Sequence, residues 1–325
     1  MTAMIRFWFL LCALLLGPIG AVYAQSWPAR PIKIIVPTGP GAATDVMARL
    51  MADSVTRGLG QPVVVENQGG ASGLVAHQSA ARAAPDGYTF IFTNTSGLAT
   101  NLVTFKSIPY DPVRDFTPVA MVVDFGPQML SVNVDLPVKS VSELIDYAKA
   151  NPGKLSYAVD VTAGAAPFAA RLFNKRANLG MVEVPYRSAA QMAGDVATGT
   201  VPVLISSMAA SNAMVKAGKL RRIALTSTNR FPPLPDLPTI VETVPGVTMD
   251  GWFVLVAPAG VPSDIVGRMN QGVGDFLKGP DIQSRLAGFG LATSGAGTPQ
   301  STAAFITREQ ERWRALAREL DIQPQ

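Results

Sequence analysis

The stretch from Pro37 to Asp45, PTGPGAATD, contains the residue types that hold an anion without reacting with it. The apolar run before it, IKIIV, predicts a strand, the glycines predict a turn, and Ala43 and Thr44 predict the start of a helix. A strand, a glycine turn and a helix N-terminus together direct backbone N–H groups at one place. The sequence therefore predicts an anion site at this turn.

Side chains that could support catalysis are scarce. The chain has one histidine, His77, in a predicted helix, where a lone histidine is usually a surface or packing residue. Its one cysteine, Cys12, lies in a predicted leader segment, which disfavours thiolate chemistry and Cys/His metal sites. No nucleotide-binding or hydrolase motif occurs. We therefore expect no enzyme activity, no cofactor and no metal.

Several other polar or glycine-rich loops follow predicted strands. In open α/β sheets ligands bind beyond the carboxyl ends of the strands, so these loops are candidates for a single cleft. Any one of them alone could be an ordinary strand-to-helix turn, whereas several together favour a binding site. The candidate ligand-binding residues are Thr38, Gly41, Ala42, Ala43, Thr44, Asp45, Ala71, Ser72, Gly73, Thr95, Ser96, Thr162, Ala163, Gly164, Tyr186, Arg187, Ser188 and Ser206.

The elements that position these loops alternate along the chain. The apolar runs IKIIVP and PVVVEN predict buried strands, and TDVMARLMADSVTRGLG between them predicts an amphipathic helix. Strands and helices then alternate as far as LRRIALTST, which predicts an α/β fold with parallel sheets covered by helices on both faces. Ser140 and Glu143 predict a capping box at one helix start.

Two long apolar stretches, VAMVVDFGPQMLSVN and VTMDGWFVLVAP, predict long uninterrupted strands that cross between two lobes. They place the first lobe at residues 25–124 plus 252–325 and the second at residues 125–251. The C-terminal segment TPQSTAAFITREQERWRALAREL predicts a long amphipathic helix. We expect its Phe305, Trp313 and Leu316 to dock on the first lobe.

The N-terminal segment predicts export. Arg6 is its one charge, a short apolar core follows, and Val22 and Ala24 suit a cleavage site, so residues 1–24 are interpreted as a signal peptide cleaved after Ala24. The alternative, a membrane anchor, is disfavoured because the core is short and no basic cluster follows it. The formal charge of +4 is mild and spread out, so nucleic acid is not an expected partner.

Eight motifs stand in an order that resembles a known family. They are WPARPIKIIVPTGPGAATDVMARL, LGQPVVVENQGGASG, AAPDGYTF, YDPVRDFTPV, VPY, AGKLRRIALTS, LPDLPTIVE and WFVLVAPAGVP. The chain resembles the Bug-type solute-binding proteins of tripartite tricarboxylate transporters. The resemblance implies an α/β, two-lobed periplasmic binding-protein (type II) fold with a hinged central cleft. It also implies a small carboxylate ligand that is handed to membrane permease subunits.

The resemblance further implies roles for the first glycine turn. Ala43 and Thr44 would donate N–H groups to a carboxylate, the Thr44 hydroxyl could add a hydrogen bond, and Gly41 would allow close approach. Asp45 matches the acidic residue of the family motif and is interpreted as holding the loop or favouring the helix start. Ala42 stands where the family usually has a second glycine, and its methyl group could narrow the approach.

The second lobe departs from the family pattern. VTAGAAPF replaces a more polar stretch, and Pro202 and Ser206 stand at positions that are usually acidic. Without those acids we expect a ligand that lacks an ammonium group, with one carboxylate on the first-lobe loops. Its far end would be apolar or a second carboxylate that meets Arg187; alternatively, Arg187 simply faces solvent.

The sequence thus predicts a monomeric periplasmic protein that captures a small carboxylate for a tripartite tricarboxylate-type transporter. One alternative is a binding protein that reports the carboxylate to a two-component sensor kinase, which the sequence does not separate from uptake. An enzyme on the same scaffold is disfavoured because the usual catalytic groups are missing.

Overall fold

The computed structural model describes residues 27–160, 164–186 and 189–324. These residues form two lobes, each built on a five-stranded sheet. The α/β fold with two lobes that the sequence predicts is confirmed. The predicted signal peptide, residues 1–24, lies outside the described part of the chain.

The first sheet contains β1 Ile32–Val36, β2 Val63–Asn67, β3 Thr89–Asn94, β4 Phe116–Val123 and, from the end of the chain, β10 Phe253–Pro258. Its strand order is β2-β1-β3-β10-β4. The first three strands are parallel, and Ile34 of β1 lies between Val65 and Phe90 of its neighbours. Strand β10 runs antiparallel to β3 and β4. The carboxyl ends of β1, β2 and β3 therefore share one edge.

A helical segment follows each of the first three strands. Helix α1 Ala43–Leu59 follows β1 and ends at Gly60, which adopts the left-handed conformation that glycine tolerates (φ 70°). A 3₁₀ turn at Ala71–Gly73 leads into α2 Leu74–Ala81. A π-helical turn at Ser96–Thr100 leads into α3 Asn101–Thr104. Each of the three loops thus places a helical N-terminus at the same sheet edge.

The second sheet contains β5 Gln128–Asn133, β6 Ser156–Asp160, β7 Val182–Tyr186, β8 Val203–Ser207 and β9 Leu220–Leu225, in the order β7-β6-β8-β5-β9. Its helices are α4 Val141–Ala150, α5 Ala165–Arg176, α6 Ala189–Ala197 and α7 Met208–Lys216, with a 3₁₀ turn at Ile240–Glu242. Strand β6 is parallel to β7 and β8, whereas β5 is antiparallel to β8 and β9.

The predicted capping box at Ser140 is half formed. Ser140 Oγ accepts the Glu143 N–H at 3.1 Å, so the serine caps α4. The Glu143 carboxylate accepts the N–H of Lys139 at 2.7 Å, one residue before the expected partner.

The predicted crossover strands are shorter than expected. The stretch from Val119 to Asn133 contains two strands, β4 and β5, which belong to different sheets and are separated by Asp124–Pro127. The second stretch forms a strand only from Phe253, and before it Asp250 makes a single antiparallel bridge with Pro127. Gly126 and Gly251, which pair through a 2.8 Å hydrogen bond, mark where the two segments meet. The lobe boundaries at residues 124/125 and 251/252 stay a prediction.

Helices α8 Ser263–Leu277, α9 Ile282–Gly288 and α10 Pro299–Glu319 complete the chain. Helix α10 docks on the first lobe, as predicted: it packs along β4, and Gln310 Nε2 donates to Leu98 O at 2.8 Å. It also contacts the second lobe, which the sequence did not predict. Phe305 does pack edge-on against Trp252, but Trp313 packs edge-on against Phe168 of α5 in the second lobe, with ring centroids 4.9 Å apart. A helix of 21 residues is long enough to contact both lobes, and its apolar stripe is covered by both.

Within the described ranges, none of the helices combines the length and the apolar character that a membrane span requires.

Candidate functional site

A cavity of about 360 Å³ opens at the sheet edge where β1 and β3 end. It is lined by Pro37, Thr38, Gly70, Ala71, Ser72, Gly73, His77, Asn94 and Ser96. Five of the predicted ligand-binding residues are in this lining, namely Thr38, Ala71, Ser72, Gly73 and Ser96. The candidate residues did not include the other four, although Gly70 lies in the predicted loop at residues 69–73 and Asn94 in the predicted loop at residues 93–97.

The turn at Ala71–Gly73 leaves two backbone donors without a partner among the described residues. Ala71 and Ser72 have φ values of 46° and 52°, a left-handed conformation that is uncommon for residues other than glycine. The N–H of Gly73 bonds to Gly70 O at 2.8 Å. The N–H groups of Ala71 and Ser72 have no hydrogen-bond partner among the residues the structure describes. Two adjacent unpaired N–H groups at a cavity can receive an anion.

A buried network below the cavity holds this unusual turn in place. Asn101 Nδ2 donates to Ser72 O and to Tyr110 Oη, each at 3.2 Å. Tyr110 in turn donates to Gly97 O at 2.6 Å. Burial raises the pKa of Tyr110 to about 12, so its hydroxyl remains a donor at neutral pH. The network ties the turn at residues 71–73 to the turn at residues 96–100.

His77 supports the same turn from the other side. Its Nδ1 lies 2.7 Å from Gly73 O, and its Nε2 lies 2.7 Å from Thr93 Oγ1. A carbonyl oxygen can only accept, so Nδ1 carries the proton and Nε2 accepts from the Thr93 hydroxyl. Burial lowers the pKa of His77 to about 4, against the opposing effect of the bond to Gly73. The neutral imidazole therefore positions the loop and brings no positive charge to the cavity.

Asp45 organises the first glycine turn. Its carboxylate accepts the Gly41 N–H at 2.8 Å, Asn67 Nδ2 at 2.8 Å and Arg49 Nε at 3.0 Å. Burial by itself raises the pKa of Asp45, but the bonds from Gly41 and Asn67 and the charge of Arg49 lower it below its ordinary value. The side chain is 3% exposed and points into the loop, so its charge is used in holding the turn.

Thr38 and Thr44 share one hydrogen bond at the start of α1, with their hydroxyl oxygens 2.6 Å apart. Only one of the two hydroxyl hydrogens lies between them, which leaves the other for a further acceptor. The N–H groups of Ala43 and Thr44 have no partner among the described residues, as expected at a helix N-terminus. Of the turn from Thr38 to Asp45, however, only Thr38 lines the cavity. The roles inferred for Gly41, Ala42, Ala43 and Thr44 stay predictions.

The Ala43→Pro substitution tests whether α1 donates to the ligand. Ala43 is the first residue of α1, where proline is well tolerated, and Ala42 already has an extended backbone (φ −66°, ψ 155°) that suits a following proline. We expect unchanged or slightly higher stability. Affinity should fall by about 1.5–3 kcal/mol, because the lost N–H would have bonded a charged group. Calorimetry with a bound carboxylate measures this, and unchanged affinity would remove α1 from the site.

The second lobe approaches the cavity at α5. A Cβ atom built on Gly164, the residue before α5, would lie 4.0 Å from Ser96 Oγ. Two predicted contacts are engaged within their own lobe: Tyr186 Oη donates to Asp195 at 2.7 Å, and Ser206 Oγ donates to Ser207 O. Neither lines the cavity. Four further predicted residues, Thr162, Ala163, Arg187 and Ser188, lie outside the described residues.

Thr95 also lies outside the cavity lining. It is buried and bonds the backbone of Trp252 in both directions, accepting the Trp252 N–H at 3.0 Å and donating its own N–H at 3.1 Å. Thr95 therefore joins β3 to the segment that returns from the second lobe. No group of three or more potential metal ligands occurs within the described ranges.

The chain is similar to proteins of one known family. The model of the tripartite tricarboxylate transporter family receptor, TctC, matches residues 47–322. Protein BugT of Bordetella pertussis is 35% identical over 305 residues, which cover 93% of this chain and 93% of BugT. Among solved structures, R. palustris Rpa4515 with adipate is 37% identical with a TM-score of 0.82, covering 92% of this chain and 100% of that chain. MatC from Rhodopseudomonas palustris with bound malate is 28% identical with a TM-score of 0.74, covering 89% and 99%. The predicted resemblance and the periplasmic binding-protein fold are confirmed.

Proposed function

This chain belongs to the tripartite tricarboxylate transporter receptor family, a family of solute-binding proteins, and on that premise we propose that it captures a small dicarboxylate in the periplasm. It would then deliver the ligand to membrane permease subunits. The signal peptide predicted at residues 1–24 and the periplasmic relatives support this location.

The observation that carries the proposal is the chemistry of the cavity. The unpaired N–H groups of Ala71 and Ser72 can only donate, and the described lining contains no aspartate or glutamate. Donors without nearby acids favour an anion over a cation or a zwitterion. A carboxylate bound there would replace water with preorganised N–H groups, which form strong charge-assisted hydrogen bonds.

Two relatives support a ligand with a carboxylate at each end. Rpa4515 was solved with adipate and MatC with malate, and both of these molecules are dicarboxylates without an ammonium group. We propose that the second carboxylate meets Arg187, which follows Tyr186 at the end of β7. A guanidinium can bind a carboxylate through two parallel hydrogen bonds, which adds direction to the attraction.

Three ligands of equal chain length test the proposed ligand class: adipate, hexanoate and 2-aminoadipate. We expect adipate to raise the stability of the protein by about 2.7 kcal/mol at a hundredfold excess over its Kd. Hexanoate should bind more weakly because it lacks the second carboxylate, and 2-aminoadipate should give no shift. Thermal unfolding with each ligand measures this. Stabilisation by 2-aminoadipate without any by adipate or hexanoate would contradict the proposal.

Two variants test whether Arg187 binds the second carboxylate of the ligand. Arg187→Ala should lose the preference for adipate over hexanoate, whereas Arg314→Ala, at an exposed position on α10, should keep it.

Delivery to the permease is tested separately, by uptake of labelled adipate into cells with and without this gene. Binding in vitro without any effect on uptake would favour the sensing role over transport.

A further inference from the structure

Asn94 is a cavity residue whose side-chain amide has a defined orientation. It ends β3 and lines the cavity beside Ser96. Its Oδ1 accepts the backbone N–H of Ser96 at 3.1 Å. The oxygen must occupy this position, because an NH₂ group there would face another donor. The opposite side of the amide therefore presents Nδ2, which has no hydrogen-bond partner among the described residues.

This NH₂ group differs from the other polar side chains of the lining. The hydroxyls of Thr38, Ser72 and Ser96 can donate or accept, so they adapt to a carboxylate or to an ammonium group. His77 is neutral, and its one N–H is already bonded to Gly73 O. Asn94 Nδ2 can only donate. Within the described lining it is therefore the side-chain group that distinguishes the sign of the ligand charge.

We infer that Asn94 is a specificity-determining residue that donates from Nδ2 to a ligand carboxylate and disfavours a cationic group at the same place. The inference rests on the proposed function and assigns a residue to it. Asn94 would act beside the N–H groups of Ala71 and Ser72, which line the same cavity. Its orientation is set by the bond to Ser96 before any ligand arrives, so little order is lost on binding.

The Asn94→Asp substitution tests this with little change of shape. One carboxylate oxygen can still accept the Ser96 N–H, but the other places a negative charge where Nδ2 donates. We expect adipate affinity at pH 7.5 to fall at least a hundredfold, with the unfolding temperature unchanged. Asn94→Ala, which removes the donor without adding a charge, should lose about tenfold. Isothermal titration calorimetry with adipate gives these ratios.

A pH series separates an electrostatic role from a packing role. When the introduced carboxyl group takes up a proton it becomes a donor again, so the affinity of Asn94→Asp relative to the wild type should recover as the pH falls towards 5. The wild type at each pH accounts for protonation of adipate itself. The matched control is Gln283→Glu, which adds the same charge at an exposed position on α9 and should bind adipate like the wild type.

The outcomes are separable. An Asn94→Asp protein that binds adipate within threefold of the wild type at pH 7.5 overturns the inference while the proposed function stands. If Asn94→Asp does not fold, Asn94→Ala decides, and unchanged affinity overturns the inference. A wild type that binds neither adipate nor malate nor hexanoate overturns the proposed function and the inference with it.

Discussion

Replacing Gly97 with alanine should cost the folded protein about 3 kcal/mol and abolish ligand binding. An added Cβ would overlap Nε2 and Cε1 of His77 and would lie 2.7 Å from Thr93 Oγ1. The imidazole cannot move aside easily, because both of its nitrogens are hydrogen-bonded and its ring stacks on Tyr110 at 5.0 Å. A shift of His77 would also release Gly73 O and with it the turn that lines the cavity.

Urea unfolding and adipate calorimetry measure the two effects. Gly58→Ala is the matched control, because Gly58 lies in α1 with no atom within 4 Å of an added Cβ. That substitution should raise stability by about 0.5–1 kcal/mol. Removing the ring in the double variant Gly97→Ala/His77→Ala should recover part of the stability, because the overlap is gone. A Gly97→Ala protein as stable as the wild type would contradict the prediction, because it would show that the backbone at residues 96–100 can move to make room for the added methyl group.

Stability between pH 4.5 and 6.5 should contain two opposing contributions, one from His77 and one from Asp250. Burial holds the pKa of His77 at about 4, so the unfolded chain binds more protons than the folded one in this range. Stability from His77 therefore rises with pH, by about 3 kcal/mol in total, and is fully present above pH 6.5.

The contribution of Asp250 to the stability of the protein changes with pH in the opposite direction. It lies where the two crossover segments meet, and its Oδ1 is buried without a hydrogen-bond partner among the described residues. Burial raises the pKa of Asp250 to about 7; Arg312 opposes this rise, and Glu309 and Asp124 add to it. The folded protein therefore keeps a proton that the unfolded chain has released, so this contribution is lost as the pH rises towards 7.

Two variants should reveal these contributions in the ligand-free protein. The wild-type profile is the reference, because it also contains carboxylates whose pKa is lowered by ion pairs, such as Glu183 and Glu319. Asp250→Asn should leave the rising contribution of His77, whereas His77→Gln should leave the falling contribution of Asp250. Urea unfolding at pH 4.5, 5.5 and 6.5 measures the slopes. Parallel profiles for the two variants would contradict the assignment.

Much of the fold was predictable because its signals are local. The run IKIIV forms β1, the glycines after it form a turn, and α1 begins at Ala43, as the sequence predicts. Strand and helix periodicities, together with the conformational freedom of glycine, act over a few residues. The prediction of uninterrupted crossover strands was wrong because strand pairing is not a local property. Apolar runs do not reveal that Asp124–Pro127 separates two sheets, because pairing partners are distant in the chain.

The site was predictable only as a set of loops. Strand ends are readable from the sequence, so the predicted residues include Thr38, Ala71, Ser72, Gly73 and Ser96, which line the cavity. That they bind the ligand stays a prediction. Which polar group turns inward depends on partners far away in the chain. Tyr186, for example, ends a strand as predicted but uses its hydroxyl on Asp195.

The sequence by itself determined the alternating α/β elements, the glycine-rich turns at the strand ends, the scarcity of catalytic groups and the family resemblance. All of these are properties of residue type and spacing along the chain. Only the tertiary structure decided that His77 is neutral and anchors Gly73, that Asn94 lines the cavity and accepts the Ser96 N–H, and that α10 contacts both lobes. Burial and hydrogen bonding set these properties, and both depend on atoms that meet only after the chain has folded.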